Sequence, residues 1–378
     1  MSGTTHPGGV GAFLSTTDGS GCWTWAGARL AADGSIHATQ RYADLSVEDR
    51  RKRLAEQDAA WLAAQWDAPG PGSRFEVRFA TGTGTEKVQA AFLVRAFAAT
   101  PHEARHRAEE RLSRAADPGG GLPSHVRSRP IDSEEQLRAW LGWPSRVGGL
   151  VEVRKHLSGG RIARGGATLR YAVCHGFFDS GAAWDAWWRS FAALPFPAVL
   201  SVSLDPYDAG SPAFRGLLQR RAAELEELAR PGIPSPMNPY RVPPEQAAHA
   251  ALPGYRRALA RYAGRCFSVR VTVASADPLP PAMIESLVRT VSSVEGAARA
   301  VQVARGEFDQ AVGEFRALGA PWLPVTYQQG LPAELDPLER VLQSLADVAE
   351  AASVLNLPVH WPGLPAVFDH EGGRLPEG

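Results

Sequence analysis

The order of secondary-structure elements, which recurs along the chain, is the strongest constraint on its fold. Residues 74–80 (RFEVRFA) alternate apolar and polar side chains as a strand does, and residues 88–98 (VQAAFLVRAFA) form a second, more apolar strand. Thr100 and Pro101 then begin a helix, because a threonine cap followed by proline is a common helix start. This part of the chain predicts a strand pair followed by a helix.

The same order returns further along the chain. Segments 148–157 and 167–178 are predicted as paired strands, followed by a helix over 180–194. Residues 265–278 predict a strand with one apolar face, and residues 280–293 predict the helix after it. Strand pairs covered by helices, without a regular single β-α-β alternation, indicate an α+β fold of ferredoxin-like or split β-α-β units in tandem.

The length of the chain, 378 residues, allows more than one core. We predict an N-terminal α+β unit over residues 1–120 and a central α+β unit over 121–235. A C-terminal α+β unit is predicted over 236–378, with a helical end and a polar tail.

The composition argues against several classes of function. The chain has 44% hydrophobic and 21% charged residues, and 40 positive side chains balance 40 negative ones. These values are typical of a globular protein and not of a nucleic-acid-binding polycation. Lysine occurs only at Lys52, Lys87 and Lys155. The sequence shows no signal peptide and no apolar run of membrane-spanning length, so we expect a cytoplasmic protein that could be peripheral to a membrane complex.

Motifs for nucleotides and metals are weak. No lysine directly follows a glycine, so the chain has no Walker A loop. The glycine-rich stretch 159–166 (GGRIARGG) could offer N–H groups to a phosphate, but its place between two strand-like segments favours a hairpin loop. His360, Asp369, His370 and Glu371 are of metal-ligating types without the spacing of a zinc site. We therefore predict no cofactor and no metal.

A cysteine-dependent enzyme is the less favoured alternative. Cys174, His175 and Asp179 supply the residue types of a thiol nucleophile and its base. Neighbouring residues of a strand point to opposite faces, however, which favours a core thiol and a rim histidine. Cys22 and Cys266 lie far from Cys174, so the three cysteines predict free thiols. No catalytic residue is assigned.

One tryptophan is a candidate for contact with a partner. On the helix predicted over 180–194, Trp184, Trp188 and Phe191 share one face, which predicts burial. Trp187 falls off that face, and we predict that it lies in an interface.

Four arginines form the most basic stretch of the chain. Arg256, Arg257, Arg261 and Arg265 have no acidic residues nearby in sequence. A solvated surface is the simpler interpretation of this stretch. A nucleic-acid-binding adaptor, or contact with the acidic face of a partner, is the alternative.

Three stretches resemble the N-terminal, non-motor region of HerA-like and type IV secretion (conjugation) ATPases. Residues 346–366 are similar to the segment just before the motor domain, with Glu350-Ala351 followed by Leu357-Pro358. Residues 23–65 look like the hairpin, Leu-Ser pair and helix that open the region. Residues 266–291 look like a strand–helix unit in its later part.

The resemblance implies a role in assembly. Asp33-Gly34 is a turn signal and would mark the tip of the opening hairpin. The family's Walker A, Walker B and arginine-finger elements have no counterpart in this chain, so none of its catalytic residues is carried over. Such regions mediate ring formation, dock partner proteins and gate a channel. The hypothesis is a non-catalytic assembly subunit that docks on a separate HerA-like or secretion-type translocase ATPase and could form homo-oligomers.

Overall fold

The computed structural model describes residues 11–66, 74–82, 87–116, 121–164, 167–178, 182–232, 242–292, 294–329 and 335–369. Over these residues the chain has the α+β fold that the sequence predicts. A large antiparallel sheet carries packed helices on both faces.

The bounds of the elements in the described part of the chain are as follows. The strands are β1 (Leu14–Asp18), β2 (Gly21–Ala32), β3 (Arg74–Thr81), β4 (Gln89–Ala98), β5 (Val126–Pro130), β6 (Gly149–Lys155), β7 (Ser158–Arg164), β8 (Ala167–Val173), β9 (Ala198–Asp208), β10 (Arg265–Ser275), β11 (Ala298–Gln302) and β12 (Leu345–Ala346). The helices are α1 (Gln40–Ala43), α2 (Val47–Ala64), α3 (Pro101–Ala116), α4 (Glu134–Gly142), α5 (Ala182–Ala192), α6 (Pro212–Leu228), α7 (Gln246–Arg261), α8 (Pro281–Val291), α9 (Phe308–Arg316), α10 (Pro324–Gln328), α11 (Pro337–Arg340) and α12 (Val348–Leu355).

The first ferredoxin-like unit is β2-α2-β3-β4-α3-β5. β4 lies between β2 and β3 and is antiparallel to both, so β2, α2 and β3 form a split β-α-β unit. β5 pairs with the other edge of β2, which gives the strand order β5-β2-β4-β3. β1 occupies the rest of that edge, with Leu14 opposite Trp25.

The second ferredoxin-like unit is β6-α5-β9-β10-α8-β11, and its strand order is β11-β6-β10-β9. It repeats the topology of the first unit with two insertions. β7 and β8 form a separate two-stranded sheet after β6, and α6 and α7 stand between β9 and β10. The predicted tandem of ferredoxin-like units is therefore confirmed.

The two units join edge to edge. β3 pairs antiparallel with β9, from Phe75 opposite Leu204 to Thr81 opposite Ala198. The result is one continuous sheet, in which hydrogen bonds cross the predicted boundaries at residues 120 and 235 through the β2–β5 and β9–β10 pairs. The division into three units stays a prediction, because shared hydrogen bonds do not reveal which parts of a chain fold independently.

The sheet has two buried faces. Alternate residues of β3, namely Phe75, Val77 and Phe79, point toward the first face of the sheet. Helices α2, α3, α5, α8 and α12 pack on this face. Burial of each such side chain stabilises the fold by about 1.5–3 kcal/mol. On the second face, α4, α9 and α10 contribute Trp140, Phe315 and other apolar residues.

Arg78 of β3 connects the second face to two helix ends. Its guanidinium donates to the carbonyl oxygens of Trp140 (2.7 Å) and Leu141 (2.9 Å) at the end of α4, and to that of Phe315 at the end of α9. Glu76 accepts from Arg78 Nε at 2.6 Å. The carbonyls of a last helical turn lack partners within the helix, so one buried cation satisfies two helix C-termini.

Asp33-Gly34 does not form the predicted hairpin. Asp33 accepts a hydrogen bond from Ser35 N (2.9 Å) and caps a 3₁₀ helix over 34–38. The strand before it, β2, pairs instead with β1 through a turn that ends at Gly21. A Cβ atom at Gly21 would lie 2.7 Å from the carbonyl oxygen of Ala98, so this turn requires glycine.

The predicted pairing of segments 148–157 and 167–178 is also wrong. β6 joins the large sheet, and β8 pairs with β7, which occupies most of the glycine-rich stretch 159–166. Residues 159–164 are therefore a strand and not a hairpin loop. Gly160 allows the Tyr171 ring to approach this strand, because a Cβ at Gly160 would lie 2.7 Å from Tyr171 Oη.

Candidate functional site

A buried ion-pair network holds the C-terminal segment that carries the resemblance. Glu350 of α12 accepts from Lys155 Nζ of β6 at 2.5 Å and from Arg261 Nη1 at the end of α7 at 2.8 Å. The Tyr262 hydroxyl lies 2.8 Å from Lys155 Nζ and donates to Glu350 at 3.1 Å. Burial and the Glu350 carboxylate raise the pKa of Tyr262, which keeps it a donor. Two cations thus fasten α12 to the second unit.

The sequence of α12 defines both of its ends. Asp347 accepts from Glu350 N at 2.7 Å and is the N-cap. Asn356 ends the helix in the left-handed conformation (φ 42°) and accepts from Trp188 Nε1 at 2.8 Å. Asparagine is one of the few residues that adopt this conformation readily. The turn directs Leu357-Pro358 away from the helix axis.

The predicted basic stretch is partly neutralised by residues from distant parts of the chain. Arg256 Nη2 lies 3.1 Å from Glu226 Oε2 of α6. Arg261 Nε donates to Asp347 at 2.5 Å, and its Nη1 pairs with Glu350. Acidic residues absent nearby in sequence are therefore present nearby in space.

The other two arginines of this stretch remain at the surface. Arg265 is the first residue of β10, and its guanidinium lies 5.0 Å from the ring centroid of Trp66. Arg257 is exposed on α7. The four arginines therefore do not form one uniform basic face, and contact with nucleic acid stays a prediction.

Trp187 is buried, contrary to the predicted interface position. It is 1% exposed and stacks on Phe191, with ring centroids 4.8 Å apart. The prediction assumed that this helix buries one face alone. It is wrong because α5 packs against both the sheet and α8, so more than one of its faces is covered.

Cys174 has no room for a substrate beside it. Its Sγ lies 3.6 Å from the Leu342 carbonyl oxygen, and burial raises the pKa of the thiol, whereas the thiolate is the nucleophile. The adjoining cavity has a volume of about 20 Å³, enough for about one water molecule. Gly176 and Glu350 lie against each other in the wall of this cavity, and a Cβ at Gly176 would lie 2.0 Å from Glu350 Oε1. His175 is exposed, and Asp179 lies outside the described residues.

The C-terminal residues of metal-ligating type are only partly described. In the ranges that the structure describes, no group of three or more His, Cys, Asp or Glu could hold a metal ion. His37 Nε2 lies 2.6 Å from the His360 carbonyl oxygen, so this contact fastens the C-terminal segment through its backbone. Asp369 ends the described chain, and His370 and Glu371 lie outside it.

A groove of about 370 Å³ runs between α2 and α12. Burial lowers the pKa of His125 in its wall to about 3, and His125 Nε2 lies 3.3 Å from Asp58 Oδ1. Arg51 packs 4.8 Å from the Trp361 ring centroid and pairs with Asp185. The groove has the volume of a small-ligand site and a mixed apolar and charged lining.

An exposed apolar pair lies on the second face of the molecule. Trp322 and Val325, between α9 and the first turn of α10, are 61% and 58% exposed. The Trp322 ring centroid is 6.1 Å from that of Tyr327. The two residues are three positions apart in sequence, and exposed apolar patches are typical of protein–protein contact sites.

Sequence reasoning missed the Lys155–Glu350 pair and the Trp322 surface. Lys155 offered a signal, since it is one of three lysines and follows an apolar strand. Apart from the resemblance, Glu350 offered no signal in the sequence, because its ion-pair partners lie up to 195 positions away. Trp322 stands in a loop without periodicity, so its exposure leaves no pattern in the sequence.

Comparisons with known proteins leave the family open. No helix of the described ranges is long and apolar enough to cross a bilayer. No family model matches the chain, and no curated protein is similar to it in sequence. The resemblance to the N-terminal region of HerA-like and secretion ATPases therefore stays a prediction.

Proposed function

We propose that this protein is a non-catalytic assembly subunit that docks on a separate translocase ATPase of the HerA-like or secretion type. The observation that carries the proposal is the exposed pair Trp322 and Val325. Tryptophan contributes a large share of binding energy at protein interfaces, and exposing it to water without a partner is unfavourable. The proposal places the subunit in the cytoplasm, alone or at the periphery of a membrane complex.

The backbone that presents this pair is already ordered. Glu307 accepts from Val325 N (2.9 Å) and from Thr326 N (2.8 Å) at the start of α10. Arg270 donates to the Gly319 carbonyl oxygen at 3.0 Å, just before Trp322. A surface that is ordered before binding loses less entropy on association, which favours a docking role.

The buried charged groups of the sheet pair with one another. Glu152 lies between Arg154 (2.7 Å) and Arg270 (2.8 Å), and Glu350 lies between Lys155 and Arg261. Buried charges that satisfy one another in this way have no free group to offer a substrate. This arrangement supports a scaffold over the cysteine-dependent enzyme.

The identity of the partner comes from the resemblance alone. Residues 346–366 resemble the segment that leads into the motor domain in those ATPases, and in this chain α12 is ion-paired to β6 and α7. A fixed segment of this kind suits a subunit that offers a rigid surface to a motor carried by another polypeptide.

Light scattering of the chain alone, of a candidate ATPase encoded nearby, and of their mixture tests the proposal. We expect a complex in the mixture. Trp322→Ala should weaken it at least about tenfold, as truncation of a central tryptophan does. Val47→Ala is the matched control, because Val47 is 59% exposed at the start of α2 and lies outside the proposed surface.

Three results would contradict the proposal. These are nucleotide turnover by the purified chain, failure to bind any candidate ATPase, and unchanged binding by the Trp322 variant. The adaptor alternative predicts something different: DNA binding that weakens steeply with salt and falls when Arg256, Arg257 and Arg261 are neutralised.

A further inference from the structure

The outer edge of the second unit is an open strand. The His156 N–H donates to the Ala297 carbonyl oxygen (2.8 Å). Together with the register, this bond shows which residues of β11 direct their backbone groups toward β6. Hydrogen bonds of an antiparallel pair alternate, so Arg299 and Val301 face β6. Ala298, Ala300 and Gln302 direct their backbone N–H and C=O groups away from it. β11 pairs with β6 alone among the described strands.

The open edge has defined limits. Beyond Gln302, the next outward N–H, that of Ala304, donates to Thr326 Oγ1 of α10 at 2.9 Å. Before Ala298 the strand gives way to a turn, in which the Ala297 N–H donates to the Val294 carbonyl oxygen at 3.0 Å. The unpaired length is therefore Ala298–Gln302, enough for three outward residues to pair with another strand.

An apolar groove accompanies this edge. The space between α8 and β11 has a volume of about 630 Å³ and is lined by Ile284, Val288, Val294 and Ala300, with Glu285 and Arg289 among the other lining residues. Val294 is 48% exposed. A strand added at β11 would bring its own covering helix over this groove and bury these side chains.

The charges that flank β11 fit a second copy of the same strand. Glu295 and Arg305 are both exposed and lie five positions before and after Ala300. Antiparallel self-pairing centred on Ala300 brings Glu295 of each copy to the Arg305 end of the other. Centring on Gln302 instead would bring Arg299 of each copy toward the Arg305 end of the other, and like charges that face each other destabilise a strand pair.

We propose that β11 pairs antiparallel with β11 of a second copy, about a two-fold axis at Ala300, with the α8 grooves of both copies packed across the axis. The interface is isologous, since each copy contributes the same residues. This inference goes beyond the proposed function, because self-pairing requires no ATPase. A dimer that binds no motor would support this interface while contradicting the docking proposal.

Ala300→Pro is the central test. Proline removes the outward N–H and adds bulk toward the second copy, but it removes no hydrogen bond to β6. Ser128→Pro is the control on the other outer edge, because the Ile131 N–H donates to Gly27 O and the same alternation directs the Ser128 N–H away from β2. It is compared with Ser128→Ala, because both variants lose the hydrogen bond from Ser128 Oγ to the Ala116 carbonyl oxygen. Light scattering over a range from low micromolar to sub-millimolar should show a dimer for the native chain and the control, and a monomer for Ala300→Pro.

The charge pair tests the register without a change in the strand. Glu295→Arg and Arg305→Glu should each raise the dissociation constant about three- to tenfold, since each variant replaces two exposed attractions with repulsions. The double variant should restore it. Thermal unfolding of every variant confirms that it is folded.

Four outcomes would overturn the proposal. They are a monomeric native chain at every concentration, a dimer unaffected by Ala300→Pro, a charge-swapped double variant that fails to recover, and saturation of the β11 edge by a strand from another protein.

Discussion

The two ferredoxin-like units share a topology and differ at their outer edges. In the first unit, β1 and β5 together fill the outer edge of β2, and β5 carries Arg127 and Arg129 and ends at Pro130. Charged residues and proline are what proteins use to prevent an edge from pairing again. In the second unit, β11 holds the equivalent place with Arg299 and no proline. The outer edges of the two units therefore differ in the residues that they carry, and the topology of the units does not predict this difference.

Both units contain buried ion pairs, Arg78 with Glu76 in the first, but the first unit also contains a buried histidine. In the first unit His125 is buried and neutral, since burial lowers its pKa. In the second unit the buried groups are ion pairs, Lys155 with Glu350 and Glu152 with two arginines. Acid therefore acts on the two units through different residues and over different ranges of pH.

The largest expected effect is the loss of stability of the first unit in acid. Burial, and to a smaller extent His37, lowers the pKa of His125 to about 3. An unfolded histidine has a pKa of about 6.5, so the unfolded chain binds more protons between these values. Stability that is present above about pH 6.5 is lost as the pH falls toward 3, by up to about 5 kcal/mol.

Urea unfolding as a function of pH measures this loss. We expect His125→Asn to flatten the slope of unfolding free energy between about pH 6.5 and 3. His175→Asn, a change of an exposed histidine, should leave the slope as it is. An unchanged slope in His125→Asn would show that His125 is not the group responsible.

Removal of Glu350 tests the ion-pair network of the second unit. Glu350→Ala leaves the Lys155 ammonium buried without an anion, which typically costs about 3–5 kcal/mol of unfolding free energy. The double variant Lys155→Met, Glu350→Leu should recover most of the loss, because an apolar pair needs no partner charge. Denaturant unfolding measures both. A loss below about 1 kcal/mol for Glu350→Ala would contradict the network.

The second unit should respond to acid later than the first. Burial alone would raise the pKa of Glu152, but Arg154 and Arg270 outweigh it and lower the pKa to about 2. The ionised carboxylate contributes its stability above the unfolded pKa of about 4.5, and this is lost as the pH falls toward 2, by about 3 kcal/mol. Glu152→Gln should remove the slope in that range and leave the range above pH 4.5 unaffected, as unfolding curves at each pH would show.

The smallest expected effects come from the two helix caps. Ser46 accepts from Asp49 N at 3.1 Å at the start of α2, and Ser46→Ala should cost about 1 kcal/mol. Asp347→Ala should cost about 2 kcal/mol, because the N-cap of α12 and the ion pair with Arg261 are lost together. Equal losses in thermal unfolding would mean that the Arg261 pair adds nothing.

Local patterns in the sequence predicted the elements better than their partners. The alternation over 74–80 and the cap at Thr100 specify a strand and a helix that the structure contains. The β3–β9 junction joins residues more than a hundred positions apart, and no local pattern records which edges meet. The tandem topology was predictable because a strand pair followed by a helix has few ways to close.

The candidate sites were less predictable for the same reason. Arg256 looked unpaired because Glu226 lies on another helix, 30 positions away. Trp187 looked accessible because a single-stripe helix is assumed to bury one face, whereas α5 is covered by the sheet and by α8. Asp33-Gly34 looked like a turn because aspartate and glycine are common in turns. In the structure the Asp33 side chain caps a 3₁₀ helix instead.

The proline and arginines of β5 set a limit on how many copies can join. A sheet with two available ends could add molecules one after another and grow into a fibre. At the far end of the row of strands, Pro130 of β5 has no N–H to offer, and β1 beside it is a short strand of five mostly polar residues. The proposed pairing at β11 would then end at two copies, and a change that let β1 or β5 pair would turn a finite particle into a polymer.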